Sequence, residues 1–533
     1  MKRILMMLIA VLVVASAVHA APKKDGRPDG GNLSYGEYGR PATLDPITSN
    51  EMISLRLTEL LFNGLVGINE KQEIVPELAE RWEISKDGRT YTFFLRKNVT
   101  WHAKEGEAPK PFSADDVVFT YSIMMHPKTI TPLKVRYEFI SAVEKVDDFT
   151  VRFSLKRPIL NALAKFSFKI IPKHGPANKD YLTRDDPFVQ HPIGTGPYLL
   201  KTVTTEREIV LAANEDYFKG RPHINQFSAK PFADQNIMTQ ALMFNAIDMI
   251  VLVNPRDIPE IEGDKRFVLK SYNALSYSFF GYNVRNPLLA DKRVRKAFSL
   301  AVNRQEMLDS FFNGRGTIIS GPFAPGSWAY NLDVLPLPFD LQKAAALLQE
   351  AGYTKGGDGF LQKDGKRLAF SLKVPIEKES EAVKRVVLAF KNYLKNLGAD
   401  IKVEFKEWQA WKEDVFLEHD FDIVFASWVF DDSADISSLF HTGEIGAWKN
   451  NFIGYSNPEV DGLINESKLT LDHEKKRTIN RRLHAILAEE NPYTYLWTLT
   501  NFAAYRDKVR RVAIHPYKFF SFADEWFMEE KGK

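Results

Sequence analysis

Three carboxylates, Asp431, Asp432 and Asp435, lie beside aromatic side chains in the stretch SWVFDDSADISSLF (Ser427 to Phe440) of this 533-residue chain. Paired carboxylates can cleave a glycosidic bond as acid and nucleophile when roughly 5–10 Å separates them. They can equally hold a cation, or take an ammonium group through charge-assisted hydrogen bonds. A solvated turn is the plain alternative. No second catalytic signature accompanies them: there is no GxSxG elbow, HExxH zinc helix, Walker phosphate loop or cysteine. The eleven histidines are scattered without metal-ligand spacing, and His102, following Trp101 at a strand end, reads as a hydrogen-bonded surface residue. The glycines of IGTGPY (Ile193 to Tyr198) precede an apolar strand, Tyr198 to Lys201, whereas a phosphate cradle follows a strand and opens a helix; a tight turn is expected there. No catalytic residue, metal site or cofactor is assigned.

The elements that position these residues are mixed. Thr90 to Arg96 puts Tyr91, Phe93 and Leu95 on one side in period two, and Thr150 to Lys156 does the same with Val151, Phe153 and Leu155. Between them Ser113 and Asp116 form a capping box that opens a helix from Ala114 to Met125, stopped before Pro127. Further on, Asp291 caps a segment with Val294, Ala297, Phe298 and Ala301 at helical spacing, and Asp340 caps Leu341 to Ala351, ended by Gly352. Strands at Phe370 to Val374 and Asp422 to Ser427 alternate with these helices, which predicts an α/β domain with a partly parallel sheet.

The chain opens with MKRILMMLIAVLVVASAVHA, where Lys2 and Arg3 lead an apolar run from Ile4 to Val14 and small residues flank a cut near Ala20. The run is well below the roughly 18 residues a membrane span needs. With no cysteine to carry acyl chains, a freely soluble periplasmic protein is expected, and its fold must stand on packing without disulfides. Removal of residues 1–20 leaves a nearly neutral chain, so no attraction to nucleic acid or anionic lipid is implied. Residues 21–32 are polar and read as a flexible leader.

Several segments resemble the family 5 extracellular solute-binding proteins, the oligopeptide and dipeptide receptors of ABC importers. They are LDPITSNEMISLRLTELLFNGLVGIN (Leu44 to Asn69), PELAERWEISKDGRTYTFFLRKNVTWH (Pro76 to His102), PFSADDVVFTYSIMM (Pro111 to Met125), GTGPYLL (Gly194 to Leu200), NEDYFKGRP (Asn214 to Pro222), GYNVRNPLLADKRVRKAFSLAVNRQEML (Gly281 to Leu308) and QKAAALLQEAGY (Gln342 to Tyr353). In these, Asp87 and Gly88 make a hairpin turn and Trp82 and Trp101 pack, so the motifs are mostly scaffold. The resemblance implies a periplasmic binding protein type II-like α/β fold of two lobes with a hinge. A discontinuous first lobe (33–65, 187–273 and 506–533) carries an inserted domain (66–186), and residues 274–505 form the opposite lobe.

It also implies where a ligand sits. In peptide-binding members an aspartate three residues after a tryptophan takes the peptide α-ammonium; the matching residues are Trp428 and Asp431, with Val429 between them, while Asp432 and Asp435 are expected to cap or line the loop. Trp408 matches an aromatic that walls a side-chain pocket, with a core tryptophan as the alternative. Ser49 to Met52, with Asn50 and Glu51, and Ile250 to Asn254, with Leu252 and Val253, match segments that approach the cleft. One departure stands out: some oligopeptide receptors carry arginine three residues before the tryptophan, and here that residue is Phe425. The expected function is capture of short peptides by hinge closure, by a monomer that delivers them to an inner-membrane ABC permease. The alternatives are the same fold holding an oligosaccharide, metal chelate or haem, and an exported hydrolase that uses the Asp431 cluster.

Overall fold

The computed structural model describes residues 26–529 except Asn50, Gln72, 104–105, Leu160, 205–207, 377–380, 431–433, Leu471 and Tyr517. The expected export segment 1–20, Asn50, Asp431 and Asp432 lie outside the described residues.

Three large sheets organise the chain. In the first, Asn32–Tyr38 pairs in parallel with Gln226–Phe232 on one edge and Met249–Ile250 on the other. The sheet extends through Ile209–Ala213 to Tyr198–Val203 on one side and through Trp497–Arg506 to Phe267–Asn273 on the other. The second is antiparallel, in the order Ala79–Ile84, Thr90–Leu95, Thr150–Leu155, Ile140–Asp147. The third runs Asp400–Glu407, Ala369–Ile376, Ile423–Val429, Ser276–Tyr282, Tyr493–Tyr495, with its first three strands parallel. This is the two-lobed, type II-like α/β architecture.

Alternation along the strands builds the cores. Tyr277 and Phe279 enter one apolar cluster with Trp411 and Tyr493, while Phe280 and Tyr282 enter another with Phe298 and Phe390. Adjacent residues thus feed opposite faces of the third sheet, both of which are covered. A single cluster joins the first two sheets, with Tyr35, Phe93, Phe153 and Trp526 all buried in it.

The predicted helix spans Ala114–Met125, and Asp116 accepts from Ser113 N–H at 3.0 Å and from Trp101 Nε1 at 3.3 Å. Three readings need correction. His102 is partly buried rather than a surface residue: its Nδ1 accepts from Gly194 N–H at 3.2 Å, Nε2 lies 3.0 Å from Gly196 O, and desolvation pushes its pKa down to about 4. The glycines of IGTGPY serve close approach, since a Cβ on Gly194 would lie 1.8 Å from Leu61 O and one on Gly196 2.4 Å from Leu60 O. The described part of the expected leader is also tied down, with Arg27 donating to Glu525 O and Gly30 N–H to His223 O.

Candidate functional site

The strand Ile423–Val429 carries the site. On one edge it pairs along its whole length with Ser276–Tyr282. On the other it meets Ala369–Ile376 only at Leu372↔Ile423 and Lys373↔Val424. Ala369–Ile376 then continues against Asp400–Glu407 as far as Ile376↔Glu407. The two parallel strands therefore diverge, and Phe425 to Val429 present a backbone edge with no strand partner among the described residues. A crevice at the carboxyl ends of parallel strands is where open α/β sheets place their ligands.

An apolar cavity of about 210 Å³ fills the gap. Trp408 and Trp411, three residues apart on the helix Trp408–Lys412, stack with centroids 5.2 Å apart and planes at 13°. The widened helical turn Glu413–Glu418 that follows brings Phe416 to the same wall. Phe425, Trp428 and Phe452 complete the aromatic lining. Trp428 is held by Phe452 at 5.7 Å and by donating from Nε1 to Tyr493 Oη at 3.3 Å. Phe425 is buried and packs 5.4 Å from Phe280. Among the described residues no charged side chain lines this cavity. Lys412 sits over the Trp408 ring at 5.8 Å, and Lys373 is buried and committed to Asp414 at 2.8 Å and Asp420 at 2.7 Å.

The sequence-derived candidates distribute unevenly. Trp408, half exposed, and Trp428 line the cavity together, and Val429 is exposed at the strand end. Leu252 and Val253 line a different cavity of about 180 Å³, with Gln235, Arg315 and Asn501. Within it Val253 is a core residue whose N–H donates to Phe502 O at 2.8 Å, whereas Leu252 is largely exposed. Glu51 caps the helix Met52–Leu61, accepting from the N–H groups of Ile53 at 2.7 Å, Ser54 at 2.9 Å and Ala42 at 3.1 Å. That engagement makes its carboxylate a structural cap; Met52 is largely exposed. Asp435 lines a third cavity and accepts from Ser437 N–H at 2.9 Å. Trp411, Phe416 and Phe452 were missed by sequence reasoning. The i, i+3 spacing of Trp408 and Trp411 was a usable signal, but Phe452 arrives from a distant segment that carries none.

The profile described as bacterial extracellular solute-binding proteins, family 5 (middle), matches residues 73–449. Among curated relatives, the oligopeptide-binding protein AppA of Bacillus subtilis is 30% identical, with 99% of each chain covered. Heme-binding protein A of Haemophilus influenzae is 26% identical over 87% of this chain and 86% of its own. Among solved structures, AppA of Bacillus subtilis in complex with a nonapeptide matches with a TM-score of 0.77 and 29% identity, over 95% of this chain and 100% of the other. An open strand edge beside a cavity, in a two-lobed α/β chain matched almost end to end, has one family reading: the chain belongs to the bacterial extracellular solute-binding proteins of family 5.

Proposed function

We propose that the protein is the peptide-capturing receptor of an ABC importer, binding short peptides between its lobes and releasing them unaltered to a membrane permease. The observation that carries this reading is the unpaired edge of Phe425–Val429 lying beside an aromatic cavity. A peptide main chain added to that edge gains hydrogen bonds whatever its sequence, and the cavity takes one of its side chains. Asp431, next but one after Val429 in the chain, is the proposed partner of the peptide ammonium, a charge that needs compensation once water is excluded. Phe425 stands where an arginine would offer a cation, so the peptide carboxylate is met elsewhere. The domain division given above, a cut near Ala20 and a periplasmic location belong to the same proposal. The names of the relatives support it, since several are peptide-binding proteins.

Native mass spectrometry of the purified mature protein tests the ligand class: short peptides carried through purification agree with the proposal, and a haem or metal chelate overturns it. Calorimetry with free and N-acetylated versions of one peptide tests Asp431, because equal affinities sink the ammonium contact. Recovery of cleaved peptide would sink the non-enzymatic reading.

A further inference from the structure

A larger chamber, about 240 Å³, lies between the four-stranded unit and the helices Pro458–Leu469 and His473–Glu490. Arg136, Arg157 and Lys165 face it from one side, and Lys468 and Lys476 from the other. Among the described residues two carboxylates, Glu138 and Asp435, share the walls. Arg136 sits on the short helix Leu133–Tyr137, Arg157 just beyond the strand Thr150–Leu155, and Lys165 ends the helix Ala162–Lys165. Across the gap, Ile464 and Lys468 lie four residues apart on one helix face, and Lys476, Asn480 and Leu483 share a face of the next helix.

Four of these cations, Arg136, Arg157, Lys165 and Lys468, form no ion pair or hydrogen bond among the described residues. Elsewhere surface cations of this nearly neutral chain commonly find carboxylates, as Lys145 does with Asp115 at 2.5 Å and Arg482 with Glu459 at 2.8 Å. Like charges brought together across a confined, partly apolar space repel one another unless an anion sits between them. A cleft lined by one sign of charge with low-dielectric walls concentrates the opposite sign.

We propose that this chamber is an anion site that takes a carboxylate and, by bonding cations from both sides, favours the arrangement in which the two walls face each other. That the carboxylate belongs to a bound peptide rests on the function proposed above; a free carboxylate or phosphate would use the same chemistry. Guanidinium and ammonium groups give such an anion charge-assisted hydrogen bonds.

Two arms test the site. In the first, thermal unfolding of the full mature protein is followed with citrate and with inorganic phosphate, for the unmodified chain and for Arg157→Gln/Lys468→Gln, which keeps long polar side chains. In the second, calorimetry compares tetrapeptides carrying Glu or Gln at each position in turn. The expected result is a rise in Tm with either anion that the double variant loses, or a preference of about tenfold for Glu at one position that shrinks as salt rises from about 0.02 to about 0.3 M and vanishes in the variant. The first arm needs no peptide to bind, so the site can stand even where the peptide reading fails. Anion effects equal in both proteins, or no anion effect and no Glu preference in the unmodified chain, overturn the proposal.

Discussion

Replacing Trp408 by alanine should weaken peptides with a bulky apolar side chain while sparing those without one. The indole is half exposed and reaches the rest of the protein mainly through its stack on Trp411, so the fold should lose no more than about 1 kcal/mol. The ligand loses more. A dry cavity of about 150 Å³ already holds a benzene ring, so a cavity of about 210 Å³ has room for a phenylalanine or leucine side chain. Full burial of such a side chain contributes about 1.5–3 kcal/mol, and aromatic pairing adds about 0.5–1.5 kcal/mol. Trp408 is one wall among several, so its removal should forfeit about 1–2 kcal/mol, a rise in Kd of about 5- to 30-fold. The assay is calorimetry with tetra-alanine and with its four single-phenylalanine derivatives. For the unmodified protein, phenylalanine should improve binding at one position, and Trp408→Ala should erase most of that gain with little change for tetra-alanine. An equal loss for all five peptides would mean that Trp408 supports the lobe and not the pocket.

Further predictions concern the scaffold and pH. His102 and His484 are both held near pKa 4 by burial, and His484 accepts from Asn331 N–H at 3.0 Å. Both are neutral in the folded chain, while the unfolded chain takes up their protons near pH 6.5. Stability is therefore fully present above about pH 6.5 and lost as pH falls toward about 4, by on the order of a few kcal/mol for the pair; Tm should drop more steeply over this window than in His484→Gln, and identical slopes would refute the assignment. Gly194→Ala should cost more than about 2 kcal/mol in urea unfolding, because its Cβ would meet Leu61 O at 1.8 Å; a cost below about 0.5 kcal/mol would show that the helix end yields easily. Gly462→Ala, in the exposed middle of Pro458–Leu469 with no atom within 4 Å of its Cβ, should instead stabilise by about 0.5–1 kcal/mol.

Local chemistry was readable wherever the determining residues are close in sequence. The Ser113 and Asp116 box fixed a helix to the residue, and period-two patterns found Thr90–Leu95 and Thr150–Leu155 to within one residue. His102 was misread because its partners, Gly194 and Gly196, lie more than 90 residues away, and nothing local announces that both ring nitrogens are hydrogen-bonded to that segment. The same limit split the site. Trp408 and Trp428 were singled out through the family resemblance, but the cavity they share depends on where two strands part company, a property of the pairing register. Glu51, in a segment expected to approach the ligand, has its carboxylate engaged in capping a helix, a role its sequence position did not announce.

The strand edge is also connected to whatever hinge the lobes use. The chain leaves the first sheet at Phe267–Asn273 and enters the third at Ser276–Tyr282 with only two residues between, and returns from Tyr493–Tyr495 to Trp497–Arg506 with one. Each crossing is bonded to a strand that the other joins: Ala274 N–H donates to Leu499 O at 3.0 Å, Leu496 N–H to Ser278 O at 3.0 Å, and Thr498 Oγ1 to Ala274 O at 3.2 Å. Phe430, directly after the open edge, donates its N–H to Leu275 O at 2.7 Å, inside the first crossing. On the proposed function, a peptide that pairs with Phe425–Val429 would order a strand whose next backbone bond is to a segment linking the first and third sheets. Closure in a binding protein requires only that ligand contacts differ in free energy between open and closed forms. Here that difference could arise at the strand bonded to the inter-sheet crossing, as well as from the second lobe meeting the ligand.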